Sequence, residues 1–99
     1  MTLFSKVVTL TDTAAAISGH DLYAVNVWLQ PDGGNSGAVY WGPSGMTSDT
    51  GIYLGIPATS VPPDPLEMQT QQEQPINLKD IYVLGTADEK LRVMAWVIG

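Results

Sequence analysis

The chain contains no cysteine and a single histidine, His20. Without thiols there is neither a disulfide framework nor a thiolate metal site, and one imidazole cannot build tetrahedral zinc. Charge is also scarce. Only 14 % of the residues are charged, against about 25 % in an ordinary soluble domain. Bases are rarest, with four Lys and Arg against ten Asp and Glu and a formal net charge of −6. Phosphate contacts need clustered Lys and Arg, so this balance speaks against nucleic acid and against an anionic membrane. Lys6, Lys79, Lys90 and Arg92 are moreover spread along the chain. No eighteen apolar residues run together, so no helical membrane span is expected. The opening residues, MTLFSKVVTLTDT, have no long apolar core of the kind a secretory leader carries.

What is present is apolar and aromatic. A hydrophobic fraction of 44 % excludes a disordered chain, and 99 residues make one domain, read as residues 1–99 with 1–12 as an extended N-terminal strand or arm. A domain of this size buries only roughly 60–65 % of its unfolded surface. With disulfides and metals excluded, oligomerisation or docking onto a larger body is the remaining way to bury more. A charge-poor surface is also cheap to desolvate at a protein interface.

The pattern along the chain has period 2. In Leu22–Gln30, Tyr23, Val25, Val27 and Leu29 alternate with Ala24, Asn26, Trp28 and Gln30. In Lys90–Ile98, Leu91, Val93, Ala95 and Val97 alternate with Arg92, Met94, Trp96 and Ile98, and both faces are apolar from Met94 onward. Such a strand is central in a sandwich or covered by a neighbouring subunit. Further strands are expected at 3–10, 38–41, 52–54, 66–70 and 78–84, with Ala14–Ile17 as a helical turn or short strand. The segment from Leu22 and the strand from Ala38 read as a hairpin across Pro31-Asp32-Gly33-Gly34-Asn35. Gly42-Pro43-Ser44-Gly45, the prolines of 57–65 and Gln71-Gln72-Glu73-Gln74 read as turns and loops. Seven or eight short strands at this spacing predict an all-β sandwich or barrel.

Nothing here carries catalysis. No serine sits in a Gly-x-Ser-x-Gly elbow, and His20 lies among turn residues. Asp12, Asp21, Asp32, Asp49, Asp64 and Asp88 all neighbour turn formers, where Asp bonds nearby backbone N–H groups. Asp32-Gly33-Gly34-Asn35 and Ser48-Asp49-Thr50-Gly51 offer oxygen ligands without the spacing of a calcium loop. No metal, cofactor or enzymatic activity is expected. Trp28, Trp41 and Trp96, with the tyrosines, fit either core and interface filling or a sugar-stacking platform. Trp28 and Trp96 lie on the minority face of their strands, which suits a second interface of protein or glycan.

The segments Val39-Tyr40-Trp41-Gly42-Pro43-Ser44-Gly45-Met46-Thr47, Asp49-Thr50-Gly51-Ile52-Tyr53-Leu54, Asn77-Leu78-Lys79-Asp80-Ile81-Tyr82-Val83-Leu84-Gly85 and Lys90-Leu91-Arg92-Val93 resemble, in order, small virion proteins of tailed bacteriophages. The chain departs from that pattern at Trp41 and at the proline-rich 61–65. The resemblance implies a capsid decoration (cement) protein, a single compact antiparallel β-sandwich of jelly-roll-like or Ig-like type without enzymatic activity. It implies a dimer or trimer on the outer capsid surface of a virion, made in the host cytoplasm and bound to the major capsid protein. Residues 2–10 would add a strand to the shell, and Leu3, Phe4, Val7, Trp28, Trp41 and Trp96 are the candidate capsid or subunit contacts. A carbohydrate-binding module and a small tail or collar component are the alternatives.

Overall fold

The computed structural model describes residues 1–56, 62–70 and 74–98. In chain order its strands are β1 (Thr2–Thr9), β2 (Ala15–Ala16), β3 (Tyr23–Pro31), β4 (Val39–Gly42), β5 (Ile52–Gly55), β6 (Leu66–Gln69), β7 (Ile76–Asn77), β8 (Tyr82–Leu84) and β9 (Lys90–Val97). One sheet has the order β1-β9-β3-β6, with β7 also paired to the start of β3. The other has the order β2-β8-β4-β5. All pairings are antiparallel.

The pairing is nested. Leaving aside the two-residue β7, the chain pairs its first strand with its last (β1·β9), then β2·β8, β3·β6 and β4·β5. This is one long hairpin rolled so that its layers fall alternately into two facing sheets. The order is that of a jelly roll, not of the immunoglobulin sandwich.

Alternation explains the core. Leu91, Val93, Ala95 and Val97 of β9 and Val27 and Leu29 of β3 face inward, all buried. They meet Leu10, Ile17, Val39, Leu78, Ile81 and Val83 from the other side. Lys6 lies on the inner side of β1, and its Nζ donates to the carbonyl of Ile17 at 3.0 Å, tying the first strand across the open side of the sandwich.

Several local expectations are corrected. β3 and β4 are not a hairpin, because they lie in different sheets. The connection is bound to the β8–β9 loop instead. Asn35 pairs like a strand residue with Lys90, donating Nδ2–H to its carbonyl at 2.7 Å and accepting its N–H at 3.0 Å. Next to it, Glu89 accepts from the Ser36 N–H at 2.6 Å and the Gly37 N–H at 3.0 Å. These bonds span more than fifty residues, so no local signal announces them. In β3 the register slips between Ala24 and Asn26. A bulge there puts Ala24 inside at 0 % exposure and turns Tyr23 outward, reversing the faces expected for both. Of the two readings of Ala14–Ile17, the short strand holds, as Ala15–Ala16. The strand expected over 78–84 is shorter. Leu78–Asp80 is a single 3-10 turn capped by Asn77, whose Oδ1 accepts from the Lys79 N–H within the turn and from the distant Leu22 N–H, both at 3.1 Å. The short strand expected at 66–70 is present as β6. Of the loops expected, 57–61 and 71–73 lie outside the described residues.

Candidate binding surface

Paired residues in neighbouring strands point to the same side of a sheet, so the register lays out the outer face of β1-β9-β3-β6 as three rungs. One reads Leu3, Trp96, Asn26, Gln69. The next reads Ser5, Met94, Trp28, Glu67. The third reads Val7, Arg92, Gln30. Apolar side chains hold the middle and the β1 side. Val7 is 60 % exposed, Leu3 47 %, Met94 44 % and Trp96 40 %. Between the rungs a shallow groove of about 470 Å³ runs among Ser5, Val7, Trp28, Gln30, Pro65 and Met94.

Four of the six contact residues expected from sequence therefore converge: Leu3, Val7, Trp28 and Trp96 share this face. The other two do not. Phe4 pairs with buried Ala95 and turns into the sandwich. Trp41 pairs with buried Val83 and packs half-buried against the core. Its Nε1–H is buried and has no acceptor among the described residues. Sequence reasoning passed over Met94. Its signal was the Leu91-x-Val93-x-Ala95 alternation, which puts Met94 on the same side as Arg92 and Trp96.

The polar groups around the patch are partly engaged within the chain. Asn26 and Gln69 donate to Glu67 Oε2 at 3.1 and 2.7 Å. Gln30 donates to the Pro63 carbonyl at 2.9 Å. Arg92 pairs with Asp32 Oδ1 at 2.7 Å, and Asp32 also accepts the Gly34 N–H. That N–H first, and the guanidinium after it, hold the Asp32 carboxyl below its ordinary value. What the face offers a partner is an apolar strip between polar margins that are partly engaged within the chain, which suits a protein surface better than a polyhydroxylated ligand.

No family model, characterised protein or solved structure matches the chain.

The second hollow, among Asp12, Thr13, Ser44, Thr47, Ser48 and Tyr82, is hydroxyl-rich and open. It sits beside a turn with a 3.2 Å bond from Met46 N–H to the Pro43 carbonyl and Gly45 at φ +79°, the type II geometry glycine favours. Ser44 is thus a turn residue and no elbow nucleophile. His20 is exposed, and the hydroxyl of neighbouring Ser18 is spent on its backbone, donating to the His20 carbonyl at 2.7 Å. Among the described residues there is no cluster of three or more His, Asp or Glu that could hold a metal ion. Among them, too, no helix is long and apolar enough to cross a membrane.

Proposed function

We propose that the chain is a non-enzymatic structural protein of a tailed-phage virion, decorating the outer capsid surface and stabilising it by non-covalent binding to the major capsid protein. The observation that carries this reading is the exposed apolar strip of Leu3, Val7, Met94 and Trp96, continued by half-buried Trp28, on a chain so poor in charge. Exposed apolar patches with polar margins mark protein contact sites. The sequence resemblance to small virion proteins and the jelly-roll nesting, an architecture used in capsid and lectin domains, support the same reading. Fold alone does not assign function, so the strip carries more weight than the topology.

Jelly rolls also bind sugars, and Trp28 beside an open groove favours a carbohydrate-binding module as the second reading. Against it stands the engagement of Asn26, Gln69, Gln30 and Arg92 within the chain, since sugar hydroxyls need free amides and charges.

The test is sedimentation of the full chain with shells assembled from the major capsid protein alone. Saturable co-sedimentation in hundreds of copies per shell, lost in a Trp28→Ser/Met94→Ser variant, supports capsid decoration. A few copies per virion and no binding to bare shells would point to the tail or collar. Absence from purified virions, with Trp-dependent glycan binding, would replace this reading by the carbohydrate one.

A further inference from the structure

The four sheet edges are unequal. β2 offers two residues and β6 four, the latter entered through Pro62, Pro63 and Pro65. β5 offers four, with a register shift against β4 and a glycine at φ +114° packed near Pro63. Short strands, bulges and prolines are the usual ways of preventing edge pairing. β1 has none of them. It runs eight residues in unbroken register, Thr2↔Val97 through Thr9↔Lys90, without proline, glycine or bulge. Its one charge, Lys6, is turned onto the chain's own Ile17 carbonyl.

The direction of its free backbone groups follows from the ends of the ladder. Leu10 N–H donates to the Glu89 carbonyl, toward β9. Lys90, opposite Thr9, spends its N–H and carbonyl on Asn35, away from β1. Antiparallel pairing alternates, so even-numbered residues of β1 bond β9 while Leu3, Ser5, Val7 and Thr9 aim N–H and C=O outward. Those same residues carry the side chains of the outer face.

We propose that β1 pairs antiparallel with β1 of a second copy about a two-fold axis through Ser5, joining two five-stranded sheets into one continuous sheet. The register is chosen by side chains. With Ser5 opposite Ser5, Leu3 faces Val7 of the other copy twice, and all four have outward backbone groups to exchange. Shifting the axis to Lys6 places two ammonium groups directly opposite each other, which is destabilising. Shifting it to Phe4 sets Leu3 against Ser5, so that the central apolar pairs are lost. The two apolar strips then meet edge to edge through Leu3 and Val7, so one long strip replaces two short ones. This pairing does not depend on what the outer face binds.

The absence of cysteine makes the register directly readable. Directly opposite residues in such a pair have Cα atoms about 5.5 Å apart, within disulfide reach. Ser5→Cys should form a covalent dimer under mild oxidation, and Lys6→Cys should do so far more slowly. Sedimentation equilibrium of the unmodified chain should show a concentration-dependent dimer. Ser5→Pro removes only an outward N–H, so it should keep the circular dichroism spectrum and melting curve of the parent while weakening dimerisation by about tenfold or more. A monomer at every concentration, an undiminished dimer in Ser5→Pro, or faster cross-linking at Lys6→Cys would each overturn the proposal. So would a monomer whose Ser5→Pro form instead loses shell binding, because the edge would then take a shell strand.

Discussion

The two sheets of this sandwich contribute to one core and treat their outer faces differently. β2-β8-β4-β5 is built of strands of two to four residues and is covered by its own chain only around Gly42, while Ile52 and Tyr53 of β5 stay exposed. Met46 folds back from the β4–β5 connection, itself only 5 % exposed. It lies so close that a Cβ at Gly42 would sit 3.0 Å from its Sδ and one at Gly51 would sit 2.7 Å away. β1-β9-β3-β6 has three strands of eight or nine residues, and on it Leu3, Val7, Met94 and Trp96 stand exposed while Trp28 is half-buried. What differs is the layout: on one sheet the exposed apolar side chains sit on the β5 edge, on the other they cross from β1 to β9 in rungs, with half-buried Trp28 beside them. The ladder of β1 on β9 runs eight residues in unbroken register and lays its side chains out in rungs, whereas β4 on β5 carries a register shift within four residues.

Mutations that break the shared core should erase the contrast and cost most. Leu91→Ala, at 0 % exposure near the start of β9, should lower stability by about 2–5 kcal/mol, a large part of the roughly 5–15 kcal/mol of an ordinary domain. Urea or thermal melts measure it. A cost below about 1 kcal/mol would mean that the two sheets do not close on this residue.

The tryptophans sharpen the comparison next. Trp41 faces in and Trp96 faces out. Trp41→Ala should cost about 2–4 kcal/mol, since a large ring is removed from the sandwich. Trp96→Ser should change stability by less than about 1 kcal/mol and act on partner binding instead. Trp41→Phe should be far milder than Trp41→Ala. It discards a buried N–H that has no acceptor among the described residues, so the lost volume is partly offset by the removal of an unpaired donor. Equal costs for Trp41→Ala and Trp96→Ser in denaturant melts would dissolve the distinction between the inner and outer rings.

How much of this could be read in the sequence follows the range of the interactions. β3 and β9 were legible because strict alternation is local, and with it the outward placement of Trp28 and Trp96. The inward turn of Phe4 and Trp41 was not, because each is decided by a partner strand: Ala95 opposite Phe4 and Val83 opposite Trp41. The bulge that reverses Tyr23 and Ala24 depends on how β3 must fit β9 and β7 together. The false hairpin between β3 and β4 has the same origin. Pro31–Asn35 does make a turn, as its residues demand, but Asn35 and Glu89 direct where the chain goes next. The candidate surface was half visible for the same reason: rungs are made of four strands, and only two of them alternate clearly enough to be read alone.

The Glu89 clasp gives the last and smallest way to test the comparison, because it joins the connection that crosses from one sheet to the other. The Ser36 N–H most of all, then the Gly37 N–H and the hydroxyls of Ser36 and Thr86, hold the Glu89 carboxyl below its ordinary value of 4.5. A carboxylate depressed in the folded state binds its proton less readily than in the unfolded chain, so stability from this group is fully present above about pH 5. It is lost as pH falls from the unfolded value near 4.5 through the lower folded one. Asp32, depressed from 3.8, adds its part lower in the same window. Between about pH 5 and 8 these two groups leave the melting temperature flat. Glu89→Gln keeps the shape but gives up one acceptor oxygen, so it should melt lower than the parent at pH 6. Its further drop between pH 6 and pH 3 should be smaller, since one of the titrating contacts is gone. Gly37→Ala should reproduce the loss at pH 6 by another route, because a Cβ there collides with the Thr86 hydroxyl beside the clasp. If Glu89→Gln loses as much on acidification as the parent, the acid sensitivity lies elsewhere, and the crossing connection is held by Asn35 and Lys90 alone.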